Sequence, residues 1–241
     1  SMGSETQADL QINFSLDGRE IVADNVESIL EAATRNGIDI PHLCFKPGYR
    51  ADGNCRACVV EIDGERALAP SCCRYPTQNL QVKSSSERAR HSQKIVLELL
   101  KSDMPTDEKA PYTPTSELDI GGDKIGVGKR RFPTRYQPTS DNSNPAVAVN
   151  LAACIQGTRC VRACREIQVN DVIGFAYRGA ETAIVFDLDD PMGNSSCVSC
   201  GECAQACPTG ALVREANAGN VFADRVLESE CPYCGVGCLL Q

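Results

Sequence analysis

Apolar and polar residues alternate near the start of the chain: Leu10, Ile12, Phe14 and Leu16 occupy every second position, with mostly polar neighbours, up to Asp17-Gly18. A period of two predicts two short strands over residues 10–22 joined at that turn, with one face buried. The period then changes. Ile29, Leu30 and Ala33 share a helical face, Asp24 or Asn25 can cap it, and Gly37 can stop it. A loop from Pro41 to Cys58, holding three cysteines with Gly48 and Gly53, leads into the apolar run Val59-Val60-Glu61-Ile62 and a turn at Asp63-Gly64. Two strands, a helix, a cysteine loop and further strands make a compact α+β unit.

Downstream, Ser84 to Glu87 has the form of a capping box opening a helix with the stripe Ser92, Ile95, Val96, Leu99 and Leu100. Residues 102–145 are rich in Pro, Gly, Thr, Ser and Asp without a sustained period, so they read as a connector lying over its neighbours. The remainder predicts a short helix near Val161 to Ile167, strands near Val172 to Tyr177 and Ala183 to Leu188, and another short helix near Gly210 to Glu215. So little apolar mass calls for an internal staple, which metal clusters can provide. Ser1-Met2-Gly3-Ser4 reads as a cleaved tag remnant, because a serine precedes the methionine.

Composition narrows the class. With 241 residues, 42% of them hydrophobic, the chain can bury one large or two small cores. No apolar run reaches the roughly 20 residues of a membrane-spanning helix, and no signal-peptide layout opens the chain. A net charge of −8, without a basic and aromatic stripe, argues against nucleic acid as a partner. Fifteen cysteines are too many for an ordinary cytosolic enzyme, while a chain this long has no need of a disulfide framework. Five lie between Cys44 and Cys73 and ten between Cys154 and Cys238, which implies two separate metal-bearing regions.

The strongest signal is Cys197-x2-Cys200-x2-Cys203-x3-Cys207-Pro208, the bacterial ferredoxin run, in which three thiolates hold one cubane and the fourth reaches across to another cluster. Its partner run, Cys154-x5-Cys160-x3-Cys164, has Gly157 where a second cysteine belongs. The crossed pattern assigns Cys164, Cys197, Cys200 and Cys203 to one [4Fe–4S] cluster. Cys154, Cys160 and Cys207 are left as an incomplete site: a three-iron [3Fe–4S] cluster, a labile cubane with a non-protein ligand, or nothing. Cys44-x10-Cys55-x2-Cys58-x13-Cys72 suits a planar [2Fe–2S] core, two thiolates per iron. Cys73, expected on a strand beside Cys72, should point away and be a spare buried thiol. Cys231-Pro-Tyr-Cys234-Gly-Val-Gly-Cys238 supplies three ligands of a further, truncated [4Fe–4S] site. Zinc knuckles are the competing reading of these runs. His42 could tune the [2Fe–2S] loop by hydrogen bonding but reads better as a packing histidine, and His91 as structural. No Ser/His/Asp arrangement, P-loop or dinucleotide fingerprint is present, so no catalytic residue is assigned.

Taken in order, Pro41-His-Leu-Cys44 with Ala69-Pro-Ser-Cys72, then Cys160-Val-Arg-Ala-Cys164-Arg-Glu, then the Cys231 motif resemble the N-terminal part of the α subunit of NAD-dependent, molybdenum- or tungsten-containing formate dehydrogenase. The same front end is similar to the large iron–sulfur subunit of complex I and the small diaphorase subunit of NAD-reducing hydrogenases. The resemblance implies a β-grasp [2Fe–2S] domain over 5–83 and a helix and connector over 84–145. It also implies a two-cluster ferredoxin domain over 146–225 and, over 226–241, the start of a metal-pterin domain that continues beyond Gln241. It further implies electrons passing from a metal-pterin formate-oxidising site toward a flavin subunit that reduces NAD. The expected partners are therefore the rest of the catalytic subunit and an FMN- and NAD-binding subunit. The chain departs from many relatives in lacking a His-x3-Cys-x2-Cys-x5-Cys run between Leu100 and Pro145, so that additional cluster is expected to be absent. The expected compartment is the cytoplasm, where thiols stay reduced. The alternative of another class is a zinc-stabilised assembly module.

Overall fold

The structure is a computed structural model that describes residues 11–105, 116–128, 131–134, 138–214, 228–230 and 239–240. Ser1 to Ser4, Leu10 and the Cys231, Cys234 and Cys238 motif lie outside the described residues. Strands β1 (Gln11–Leu16) and β2 (Arg19–Asp24) pair antiparallel from Gln11↔Asp24 to Leu16↔Arg19. The turn between them, Asp17-Gly18, has φ of 51° and 78°, the left-handed pair that matches the twist of a two-residue hairpin.

Helix α1 (Ile29–Arg35) buries Ile29, Leu30, Ala32 and Ala33 against this hairpin. Its cap is Ser28, and not Asp24 or Asn25 as expected. Ser28 and Glu31 form a full capping box, with the Ser28 N–H donating to Glu31 Oε2 at 2.9 Å; two orphan donors satisfied together outweigh one.

Strands β3 (Val59–Ile62), β4 (Ala69–Pro70) and β5 (Gln81–Lys83) complete a five-stranded sheet of order β2-β1-β5-β3-β4. β5 lies parallel to β1 and antiparallel to β3, so Val82 sits between Leu16 and Ile62. This is the β-grasp arrangement, α+β in class. Its core comprises Phe14, Leu16, Ile21, Leu30, Ile40, Val60, Ile62 and Val82, together with Cys58 and Cys72.

Helix α2 (Glu87–Ser102) is capped by Ser86. Ser84, expected to open it, instead donates from its N–H and hydroxyl to the Asp17 carboxylate at 2.8 and 2.5 Å, tying the helix to the first hairpin. The buried stripe is also different: Ala89, Gln93 and Leu97 face inward, while Leu99 is 46% exposed. Gln93 can face inward because its amide donates to the carbonyls of Val59 and Ser84, which offsets the cost of burying it.

The connector contains an element that its sequence pattern does not announce, helix α3 (Glu117–Lys124), capped by Ser116. A Cβ at Gly122 would meet the Lys101 side chain at 2.8 Å. The glycines that lower helix propensity therefore allow α3 to approach α2 closely.

Beyond the connector, β6 (Val147–Val149) leads through a loop to α4 (Arg159–Arg162), which runs on into a π turn over Ala163–Ile167. The hairpin β7 (Ile173–Ala176) and β8 (Ala183–Phe186) follows, then α5 (Glu202–Ala206) and β9 (Leu212–Arg214). The helix expected near Gly210 to Glu215 is corrected: Leu212–Arg214 is a strand paired with β6, from Val147↔Arg214 to Val149↔Leu212. Pairing with a distant strand overrides local preference here. Strands β10 (Ser229–Glu230) and β11 (Leu239–Leu240) pair antiparallel. Among the described residues, no helix is long and apolar enough to cross a membrane.

Candidate iron–sulfur sites

The loop after α1 curls because Gly48, Gly53 and Arg56 take φ of 82°, 66° and 58°. Successive turns of this kind aim backbone N–H groups into a common concavity. Cys44, Cys58 and Cys72 are buried and Cys55 partly so, and all four carry free thiols. The Cys44 N–H lies 3.4 Å from Cys55 Sγ.

Contacts between the thiols polarise them. Cys44 falls to about 2 because the Cys55 thiol, then the Cys72 thiol, donates to it. Cys58 falls to about 7 because Cys72 donates to it. Cys55 is pushed up, first by its bond to Cys44, and Cys72 by its bonds to Cys44 and then Cys58. Ionising one thiol is thus set against ionising its neighbours, an opposition that a cationic core among them would relieve. Among the described residues no three His, Cys, Asp or Glu side chains are arranged around a single ion. Cys44 neighbours both Cys55 and Cys72, and Cys72 neighbours both Cys44 and Cys58.

Cys73 departs from expectation. Strand β4 ends at Pro70, so the alternation that would turn adjacent side chains apart does not apply. Its thiol is exposed and lies 3.6 Å from Cys72 Sγ. His42 packs edge-on against Phe45 at 5.8 Å, and its Nδ1 lies 2.8 Å from the Ile40 carbonyl. His91 is on the exposed side of α2.

The second region is an internal repeat. Cys154, Gly157, Cys160 and Cys164 have the same spacing as Cys197, Cys200, Cys203 and Cys207. The backbone repeats too: Gln156 and Thr158 take φ of 55° and 61°, and Ser199 and Gly201 take 57° and 77°. The Gln156 N–H reaches Cys154 Sγ and the Ser199 N–H reaches Cys197 Sγ, both at 3.4 Å. Thr158 and Gly201 then open α4 and α5, which carry Cys160 and Cys203.

Neighbour relations cross between the halves. Cys203 is pushed up to about 12 by burial, then by the nearby Cys197, Cys200 and Cys164. Cys160 is raised well above the usual thiol range by burial, then by Cys154, Cys207 and Cys203. Cys154, Gly157, Cys160 and Cys207 line one apolar cavity. Gly157 has no left-handed φ, and a Cβ there would meet Ile155 at 3.6 Å and Cys44 Cβ at 3.8 Å, which is ordinary contact. The backbone does not demand glycine at this position. The donor set, soft thiols with N–H groups directed at them, fits iron–sulfur clusters in both regions.

Residues 9–87 match the family of 2Fe-2S iron-sulfur cluster binding domains, and residues 146–211 that of 4Fe-4S dicluster domains. The chain joins a [2Fe–2S] domain to a dicluster domain. These are iron–sulfur electron-transfer domains. The chain is 31% identical to the NADP-reducing hydrogenase subunit HndD of Solidesulfovibrio fructosivorans over 84% of its length and 36% of that protein's. It is 29% identical to an NADH-quinone oxidoreductase subunit of Rhizobium meliloti (strain 1021), over 95% of the chain and 27% of that protein. A putative formate dehydrogenase of Staphylococcus haemolyticus is 26% identical over 93% and 27%. The chain thus spans about a quarter to a third of the length of these curated relatives. A chain of the NAD+-reducing [NiFe]-hydrogenase in the H2-reduced state has a TM-score of 0.80 at 27% identity, covering 88% of this chain and 90% of that one.

Sequence reasoning missed the groups that join the two iron–sulfur domains. Arg159, on α4, donates to the Leu43 carbonyl at 2.9 Å and bidentately to Glu117 at 2.6 and 2.9 Å. Arg162 donates to the carbonyls of Cys44 and Arg50. Tyr49 donates to Glu202 at 2.5 Å, and Asn54 Nδ2 to Thr158 Oγ1 at 2.9 Å. The available signal was two arginines inside a cysteine run.

Proposed function

We propose that Cys44, Cys55, Cys58 and Cys72 hold a [2Fe–2S] cluster and that Cys164, Cys197, Cys200 and Cys203 hold a [4Fe–4S] cluster. In this reading Cys154, Cys160 and Cys207 hold a [3Fe–4S] cluster, since Gly157 offers no fourth thiolate. Bound clusters would supply one-electron storage on iron. The chain's own part is to bury the thiols away from water and aim backbone N–H groups at them, which sets cluster potential.

The observation that carries this reading is the convergence of thiols in the three sets that the spacing separates. Their order along the molecule supports a wire. Cys154 and Cys207 pack on two apolar clusters, one shared with Cys55, Leu43, Ala153 and Ala211 and the other containing Cys164 and Cys203. This supports a three-thiolate site between the other two.

In the whole protein the wire runs between a metal-pterin formate-oxidising site and a flavin subunit that reduces NAD, both outside these residues, in the cytoplasm. The Cys231, Cys234 and Cys238 motif would supply three ligands of a further [4Fe–4S] cluster at the entrance to the metal-pterin domain. The relative named a putative formate dehydrogenase supports this reading. A second reading, an iron–sulfur component of an NAD-reducing hydrogenase, is favoured by the TM-score of 0.80. Anaerobic expression of the full chain with ample iron tests the cluster assignment. Brown protein with acid-labile sulfide and several reducible EPR signals is expected; colourless, sulfide-free protein overturns it.

A further inference from the structure

Arg162 is buried to 2% exposure between the cysteine loops of the two domains. Its Nη2 donates to the carbonyl of Cys44 at 2.6 Å and to that of Gly157 at 3.3 Å, and its Nη1 donates to the carbonyl of Arg50. One guanidinium therefore grips the backbone of a proposed [2Fe–2S] ligand and the backbone at the missing ligand position. Its Nε has no hydrogen-bond partner, and the nearby carboxylate, Asp52, stands 3.8 Å away.

Arg159, one turn earlier, differs: Glu117 neutralises it through two short bonds. Arg162 has one carboxylate within ion-pair reach, Asp52 at 3.8 Å, and Asp52 is shared with Arg50 at 3.0 Å, so part of the Arg162 charge is left to act on its surroundings. A guanidinium keeps that charge at any physiological pH, and buried charge is weakly screened.

We infer that Arg162 is a positioning residue that sets the reduction potentials of the [2Fe–2S] site and the three-thiolate site together, as a fixed cation at the joint between their loops. This rests on the cluster assignment above. Each added electron makes a thiolate-clad core more negative, and a fixed cation beside it favours the reduced form. The two sites it touches are neighbours in the proposed wire, so one residue keeps their potentials in step.

The test is EPR redox titration of the full chain, loaded anaerobically, with iron and sulfide quantified for each variant. Arg162→Gln lowers the midpoint potential of both sites and moves that of the Cys164, Cys197, Cys200 and Cys203 cluster less. Arg162→Lys, which keeps the charge, stays near wild type. Arg50→Gln removes a guanidinium from the same network, but one whose side chain is 59% exposed, and shifts the potentials less than Arg162→Gln. Asp52→Asn shifts them upward. Unchanged potentials in a fully loaded Arg162→Gln chain overturn the inference, as does an equal shift at all three clusters. If the glutamine variant does not load, a loaded lysine variant with a lowered potential, or a loaded Asp52→Asn chain with no shift, also overturns it. A wild-type chain without clusters would sink the cluster assignment itself.

Discussion

In residues 11–83 the cysteine loop hangs on a five-stranded sheet whose core holds Phe14, Leu16, Leu30, Val60, Ile62 and Val82. In residues 147–214 the sheets have two strands each, and Cys164 and Cys203 are core residues, with Cys154, Cys160, Cys197 and Cys207 packed around them. The first region can bury enough apolar surface to fold around an empty loop. The second has a smaller apolar core, among it Val149, Ile173, Phe186 and Leu212, into which Cys164 and Cys203 are built, and thiols repel one another once ionised. Its fold should therefore depend on the iron proposed to bind these thiols, while the fold of the first should not.

Removing iron gives the largest expected effect. After chelation, amide exchange should speed up through β6, β9 and the β7–β8 hairpin by about 100-fold or more, a loss of at least about 3 kcal/mol. The sheet from β1 to β5 should stay protected to within about tenfold. Equal loss in both regions would break the comparison.

The converse experiment attacks the apolar core. Phe14 is fully buried, and Phe14→Ala should cost about 3–5 kcal/mol. A urea titration followed on the first region should show the drop, while the iron content of the second region stays at its wild-type value. A variant that lost iron from both would show that the two regions fold as one unit through the contacts of Arg159 and Arg162.

Gly157→Cys sharpens the comparison by adding a staple where one is missing. The backbone accepts a Cβ there, so the apo fold should be unchanged. Iron content should rise by one atom per chain and the EPR signal of that site should change. Iron loss to a chelator should slow on the order of tenfold, the scale on which partners of a metal site alter its affinity. Unaltered iron and spectrum would remove Cys154, Cys160 and Cys207 from the proposed cluster set.

The same contrast explains what could be read from sequence. Period-two alternation from Ile12 to Leu16 marks a strand because one face is dry, and the cysteine spacings mark iron–sulfur domains because an inorganic core fixes the distances between its ligands. What was missed depends on distant partners. Leu212–Arg214 is a strand only because β6 lies beside it, and Gly121-Gly122 reads as a breaker until α2 is seen packed against it. Ser84 fits a helix-opening pattern, yet Asp17, far away in the chain, claims it. Arg162 follows the same logic, since an arginine is expected at the surface unless its partners are known.

The smallest effect tests whether the first region's stability is its own. Ser28 caps α1, and Glu31 returns the bond to the Ser28 N–H at 2.9 Å and to its hydroxyl at 2.6 Å. Ser28→Ala removes the hydroxyl that accepts from the Glu31 N–H, and should cost about 1 kcal/mol. Helix α1 lies directly before the loop with Cys44, and its Leu30 N–H donates to the Ser71 carbonyl, beside Cys72. If the sheet and helix hold the thiols in place before iron arrives, this loss should appear equally in apo and cluster-loaded chains. If instead iron organises the first region as is expected of the second, loading should mask the loss, because the cluster would then fix the ends of the loop whatever the cap contributes. Paired denaturation of the two forms, read at the same amides, distinguishes these outcomes.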